Sequence, residues 1–172
     1  MKIASLTSNE YSQFYTPYIE ALGDCDLLEE LEIALADCIK FVREIPLGKH
    51  DYRYAPGKWT IRDIIRHIID SERIFAYRAL RFARKDKTPL PGFDENDFAA
   101  NADAESATLQ ELLTELSAVR YSTILLFKSF NEEQLRQIGT ANGNPMSVAA
   151  IGFIISGHQR HHQRVYIERY LN

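Results

Sequence analysis

Four segments of the chain repeat apolar residues at three- and four-residue spacing, which is the pattern of an amphipathic helix. No stretch of convincing length alternates apolar and polar residues as a half-buried strand does. Residues 1–25 have only weak periodicity, and we expect them to form an arm that packs against the main body. The predicted helices begin at Asp26, Thr60, Thr108 and Ser147, and they end near Pro46, Lys85, Phe130 and Tyr170.

Helix starts are marked by side chains that bond to the first free backbone N–H groups. A Ser, Thr or Asp followed three residues later by a carboxylate can form a reciprocal capping box. Three predicted helices carry such a pair, and the short turn after the third helix begins at Asn131. The pairs are Asp26 with Glu29, Thr60 with Asp63, and Thr108 with Glu111.

Residues 86–105 form a long connection with no periodicity. Connections longer than about 12–15 residues are usually functional or disordered. We expect Phe93 and Phe98 to pin this one to the body as an ordered crossover. A crossover of this length can return the chain along the bundle, so the second and third helices would run parallel. The sequence therefore predicts one all-α domain over residues 1–172, a four-helix bundle, with 139–145 as a loop.

Composition excludes several classes of protein. A net charge of −4 argues against a general nucleic-acid binder. No stretch approaches the roughly 18 apolar residues of a membrane span, and the first residues lack a signal-peptide core, so we expect a cytoplasmic protein. Cys25 and Cys38 fit that compartment as free thiols. Residues 58–87 are locally basic, which indicates either a solvated helix face or a site for an anionic ligand.

The run from Gly157 to His162 contains three of the five histidines of the chain. His158 and His162 are four residues apart, so on a helix they lie on the same face, one turn from each other. The apolar residues of this helix place both imidazoles towards the core. His161 falls on the flank and is expected at the rim or surface, and His50 is expected in solvent in a loop.

His67 is the candidate third member, because it is the only histidine on another long predicted helix. It lies about 90° from the centre of that helix's apolar face, at its edge. Thr60, Ser71 and Arg78 lie near it on the helical wheel as a polar column. Two inward histidines can instead be a hydrogen-bonded core pair, and that alternative stays open.

Three neutral imidazoles from two helices, with a further position open, are typical of a catalytic divalent-metal site. Imidazole ligands favour Zn²⁺ or Ni²⁺, with Fe²⁺, Mn²⁺ or Cu²⁺ as alternatives. The spacing is not that of the HExxH zinc proteases, and the Glu-x-x-His pairs of di-iron bundles are missing.

Two carboxylates and one arginine on the second helix are weaker candidates. Glu72 and Asp70 are candidate catalytic bases, although either can instead pair with an arginine or orient a ligand histidine. Glu72 is predicted to point inward, where it needs a partner. Arg78 is a candidate substrate-binding residue for a carboxylate or phosphate group, or else a salt-bridge residue.

The segments Trp59–Arg73, Thr88–Glu95 and Gly157–His162 together resemble the DinB/YfiT-like superfamily of metalloenzymes. The resemblance implies an up-down-down-up four-helix bundle, one divalent metal ion held by His67, His158 and His162, and frequently a homodimer. Characterised relatives include S-transferases that use bacillithiol or mycothiol and a mycothiol-dependent maleylpyruvate isomerase, and others are called metal-dependent hydrolases. The family name refers to DNA damage induction, but the acidic net charge gives no support for DNA binding.

Two functions follow as hypotheses. The first is a metal-dependent enzyme acting on a small molecule, as an S-transferase with a low-molecular-weight thiol cosubstrate or as a related hydrolase. A thiol bound to a metal ion loses its proton, which provides a nucleophile at neutral pH. The alternative is a non-catalytic metal-binding bundle involved in a stress response.

Overall fold

The computed structural model describes residues 1–171, and helices form most of it. Four long helices build the bundle, as the periodicity predicts, and three short helices and one hairpin join them. The helices are α1 Thr16–Glu20, α2 Leu27–Arg43, α3 Ile61–Ala83, α4 Glu95–Asn101, α5 Leu109–Lys128, α6 Glu132–Leu135 and α7 Val148–Arg169. The hairpin strands are β1 Ile138–Ala141 and β2 Asn144–Ser147. Within residues 1–171, no helix combines the length and apolarity needed to cross a membrane.

The predicted capping boxes form at α3 and α5 but not at α2. Thr60 and Thr108 each accept a hydrogen bond from the third residue of their helix, whose carboxylate bonds back to them. Asp26 caps α2 by accepting from the Leu28 N–H at 3.2 Å, and its other oxygen binds the N-terminal ammonium group at 2.8 Å. Glu29 is exposed and completes no box, so that part of the prediction is wrong.

Contacts along α3 and α5 show that the two helices run in the same direction. Arg66 of α3 pairs with Glu115 of α5 at 2.8 Å, and one to two turns further along both helices Glu72 pairs with Arg120. Beyond the end of each helix, Lys85 pairs with Glu133. The long crossover therefore carries the chain back along the bundle, as predicted.

The last helix runs against α3 and alongside α2. Its C-terminal Tyr166 donates from its hydroxyl to the Ile61 carbonyl at the start of α3, at 3.3 Å. The same Tyr166 stacks on Phe41 near the end of α2, whereas Arg160 pairs with Glu30 near the start of α2. The order of directions is up-down-down-up, and the all-α four-helix prediction is confirmed.

The crossover is ordered, as expected, and it contains regular structure that was not expected. It contains α4, whose N-cap Asp94 accepts from the backbone of the first turn at 2.8 and 3.0 Å. Phe93 is half-buried and its ring centroid lies 4.9 Å from that of Phe98, whereas Phe98 is 45% exposed and covers less of the body than expected. Leu90 also holds the segment, because it is buried and exchanges backbone hydrogen bonds with Thr140 and Asn142 at 2.9 and 3.0 Å.

The expected loop at 139–145 is a β-hairpin, so the prediction of a loop without regular structure is wrong there. β1 and β2 pair antiparallel around the Asn142-Gly143 turn. Both turn residues have positive φ, 49° and 73°. That conformation suits a two-residue hairpin turn, for which Asn-Gly is the strongest sequence signal. The strands are four residues each, too short for their alternation to stand out.

The core contains a buried ionic network that joins all four long helices. Arg120 of α5 is 0% exposed and bonds both carboxylate oxygens of Glu72 on α3, at 2.8 and 3.0 Å. It also donates to the Leu31 carbonyl of α2 at 3.0 Å and to the Gln159 side chain of α7 at 2.9 Å. Gln159 in turn donates to the Ala34 carbonyl. Glu72 thus has the partner that its inward position demanded.

We expect Arg120→Met to lower the free energy of unfolding by about 3–5 kcal/mol, because it leaves the Glu72 carboxylate buried without a counter-charge. Urea denaturation measures the change. Lys128→Met is the matched control, since it removes one partner of the exposed Lys128–Glu32 pair and should cost less than about 1 kcal/mol. Equal effects of the two substitutions would contradict this account of the core.

Candidate metal centre

Helices α3 and α7 bring three histidine rings together at one point. The Nε2 atom of His158 lies 3.0 Å from that of His67 and 3.0 Å from that of His162. The candidate ligand atoms of the three residues all lie within 4.8 Å of one another. His158 and His162 reach this point because their four-residue spacing places them one turn apart on the buried face of α7.

The cluster is mostly buried, which disfavours protonation of its rings. His158 and His162 are 8% and 9% exposed, and His67 is half-buried. Burial lowers the pKa of His67 to about 4. Burial, reinforced by the neighbouring histidines, holds the pKa values of His158 and His162 well below their usual range. The three imidazoles are therefore neutral at pH 7 and offer nitrogen lone pairs.

The donor set fits a divalent cation better than a hydrogen-bonded core pair. Each neutral imidazole carries one N–H and one acceptor nitrogen. The Nε2 atom of His158 offers either one proton or one lone pair to the two Nε2 atoms that lie 3.0 Å from it, so hydrogen bonds alone leave the cluster unsatisfied. Three converging Nε2 atoms match the three-histidine sets that bind Zn²⁺ and similar ions, with a further position open.

The open side of the cluster faces a cavity of about 470 Å³. Its floor is formed by His67, Ser71 and Arg78 of the predicted polar column together with the two inward histidines of α7. Aromatic rings cover much of the wall, and the hairpin supplies two amides. The remaining lining residues are Ser12, Phe14, Tyr15, Tyr18, Trp59, Phe75, Gly92, Phe93, Glu95, Ala141, Asn142, Asn144 and His161.

The N-terminal arm closes one side of this cavity. It folds into three 3-10 turns and α1, and the backbone of Tyr18 lies directly against Gly157 on α7. A Cβ atom at position 157 would collide with the Tyr18 carbonyl oxygen, so the glycine permits this close approach. The ring of Tyr18 lies 5.1 Å from that of His161, between centroids. The arm is thus part of the site as well as packing on the body.

The other predicted site residues are distributed differently. Arg78 lines the cavity, whereas Glu72 and Asp70 do not. Both Glu72 oxygens are bonded to Arg120, and Asp70 lies 3.5 Å from Arg73 on the same helix. His161 is half-buried at the cavity wall and is outside the three-histidine group.

One histidine expectation is wrong, and one residue beside the site was not predicted. His50 is half-buried, with Nε2 3.2 Å from the Ile45 carbonyl oxygen, rather than solvated. Trp59 was not predicted as a site residue, although its ring centroid lies 4.8 Å from that of His67. The sequence does contain a signal for Trp59. It directly precedes the Thr60 cap, at the start of the helix that carries His67.

The sequence model described as the DinB superfamily matches residues 30–165. A "Putative metal-dependent hydrolase" of Oceanobacillus iheyensis is 30% identical over 112 residues, which cover 63% of each chain, so the match spans under two thirds of that relative. A Bacillus cereus protein with the same name is 25% identical over 138 residues, 78% of each chain.

The fold also matches a solved structure. YfiT from Bacillus subtilis, described as a probable metal-dependent hydrolase with an unusual four-helix bundle topology, superposes with a TM-score of 0.71. The alignment covers 83% of this chain and 82% of that one at 18% identity. At this identity the likeness establishes the fold alone.

The buried neutral histidines predict how the metal-free protein responds to acid. Their folded-state pKa values lie below the unfolded value of about 6.5, so below pH 6.5 the unfolded state binds more protons. With a chelator present, the free energy of unfolding should therefore fall as the pH drops from 6.5 towards 4. Each such histidine contributes a slope of about 1.4 kcal/mol per pH unit.

Urea denaturation at a series of pH values measures this slope. His67→Gln should reduce it, whereas His50→Gln, which leaves the cluster intact, should preserve it. The same slope in the His67 variant and the unaltered protein would show that His67 is not held neutral by the fold.

Proposed function

The chain belongs to the DinB superfamily, and from this premise and the geometry of the cavity we propose that it is a metal-dependent enzyme acting on a small molecule. Its metal ligands are His67, His158 and His162. The observation that carries the proposal is the convergence of three neutral Nε2 atoms at the floor of a cavity. The names of relatives from Oceanobacillus and Bacillus as metal-dependent hydrolases support the metal dependence.

The protein's own residues prepare the site in three ways. The histidines present unprotonated nitrogens, and the aromatic wall restricts water around them. The ring of Trp59 packs on that of His67, with 4.8 Å between the ring centroids, and fixes the His67 ring. A divalent ion at this position lowers the pKa of a bound water or thiol, so that a nucleophile is available at neutral pH.

Between the two reactions, the lining favours S-transfer over hydrolysis. Hydrolysis generally uses a base near the attacking water. Among the described lining residues, the carboxylate is that of Glu95, which is exposed at the start of α4, since Glu72 and Asp70 are bonded elsewhere. A thiol cosubstrate would need no such base, because it has a single proton to lose and a bound ion would lower the pKa of that proton, whereas an attacking water must lose two. We therefore place a low-molecular-weight-thiol S-transferase first and a hydrolase second.

The alternative to both enzymatic reactions is a non-catalytic metal-binding bundle. A buried histidine cluster suits it equally well, but the cavity beside the cluster favours an enzyme, because a structural metal site is closed. Zn²⁺ or Ni²⁺ is the proposed ion. A homodimer, a cytoplasmic location and a single domain over residues 1–172 complete the proposal.

Removal of any one ligand histidine should weaken Zn²⁺ binding by more than about 100-fold, because even the loss of an outer-shell partner costs 10- to 100-fold. Calorimetric titration of metal-free protein and elemental analysis of the purified variants measure this. His161→Ala is the matched control on the same helix and should bind one equivalent as before. Full stoichiometry and affinity in His158→Ala would remove the site altogether.

The metal-loaded protein should transfer a thiol to a model electrophile such as 1-chloro-2,4-dinitrobenzene. Bacillithiol, mycothiol, glutathione and cysteine form the panel, and hydrolysis of p-nitrophenyl acetate tests the second reaction. The activity should be lost in His158→Ala and retained in His50→Ala. Failure with every thiol but turnover of the ester would favour the hydrolase, and failure of both would favour the non-catalytic bundle.

A further inference from the structure

Arg78 is a buried cation without a carboxylate partner. Arg78 is only 3% exposed, and it lines the cavity. One N–H, on Nη2, donates to the Pro91 carbonyl at 2.8 Å. Across residues 1–171, no carboxylate oxygen lies within ion-pair distance of its guanidinium group. The ring of Phe75 lies 5.8 Å from Cζ, and the Tyr15 hydroxyl is close enough to interact with the charge.

The contrast with Arg120 shows why this matters. Both arginines are almost fully buried, but Arg120 has its charge matched by the two oxygens of Glu72. Burial lowers the pKa of the Arg78 guanidinium, but a guanidinium group still keeps its proton in proteins, so Arg78 remains a cation. Burying a charge is costly unless it is paired. One carbonyl does not balance the charge of Arg78, and the cavity that Arg78 lines leaves room for an anion beside it.

We propose that Arg78 is an anion-binding residue of the cavity and that it receives a carboxylate of the substrate or of the cosubstrate. This inference rests on the proposed function, because only the proposed function makes the ligand a reactant. The guanidinium fork matches a carboxylate in a bidentate arrangement, and Arg78 lines the cavity. A doubly charged phosphate fits less well, because Arg78 is the single Arg or Lys in the described lining, which also includes Glu95.

The position of Arg78 also constrains the shape of the ligand. His67 and Arg78 are eleven residues apart on α3, about 16 Å along the helix axis. Both side chains lean towards the helix N-terminus, and the longer arginine reaches further than the histidine, so the guanidinium group lies closer to the His67 ring than that figure. Phe75, Tyr15 and Phe93 line the same cavity. The ligand is therefore an elongated molecule, with an apolar or aromatic body and a carboxylate remote from its reacting atom.

A pair of matched probes tests this without turnover. Isothermal titration calorimetry of the full chain compares 4-phenylbutyrate with uncharged 4-phenylbutanamide, in metal-free and Zn²⁺-loaded protein. The metal-free protein should bind the carboxylate at least about tenfold more tightly, as expected for loss of a charge-assisted bond pair. Arg78→Met should abolish this preference, and Arg78→Lys should keep part of it.

Four results would overturn the inference: no binding of the carboxylate, no preference over the amide, a preference that survives in Arg78→Met, or a preference that requires Zn²⁺. The last would show that the carboxylate is a metal ligand. Circular dichroism establishes whether the variants fold, and the unaltered protein with the two probes decides the question if Arg78→Met does not. Because the metal-free measurement does not involve the histidines, its failure would leave the metal-site proposal standing, and the reverse also holds.

Discussion

The buried charge of Arg120 is the constraint on which the arrangement of the four long helices depends. Its guanidinium group can be accommodated in the core only if Glu72, Gln159 and the Leu31 carbonyl all lie within hydrogen-bond distance. Those partners come from α3, α7 and α2, so a rotation of any one helix about its axis would leave a polar group unpaired. Gln159 is the residue next to His158, so the same network fixes which face of α7 points to α3. The geometry of the histidine cluster thus follows from an interaction outside it.

The bundle contains two buried arginines, one whose charge is paired with a carboxylate of the chain and one whose charge is not. Arg120 is neutralised by the chain itself and joins the helices, whereas Arg78 is balanced by a single carbonyl and lines the cavity. The three histidines follow the same principle with lone pairs instead of charge, since burial keeps them unprotonated and the Nε2 atom of His158 can bond to only one of its two Nε2 neighbours. The cavity therefore has a proposed cation site at the three histidines and a proposed anion site at Arg78.

Much of this arrangement is contained in local sequence signals. Apolar periodicity and capping residues predict the long helices, and helical spacing separates His158 and His162 from His161. Non-local features are harder to predict. The network of Arg120 depends on four segments that are distant in the chain, and nothing near residue 120 marks it as buried. The hairpin strands are too short for alternation to be visible, although Asn142-Gly143 marked the turn. The aromatic arm shows its role only once Gly157 brings Tyr18 against α7.

X-ray absorption spectroscopy of the Zn²⁺-loaded protein tests the central claim most directly, namely that three histidines hold one ion and leave a position for a reactant. We expect three imidazole nitrogens at about 2.0–2.1 Å and one exchangeable light ligand. On addition of a thiol that ligand should be replaced by sulfur at about 2.3 Å. A closed shell of four protein ligands that a thiol does not alter, or a spectrum with fewer than three imidazoles, would contradict the account.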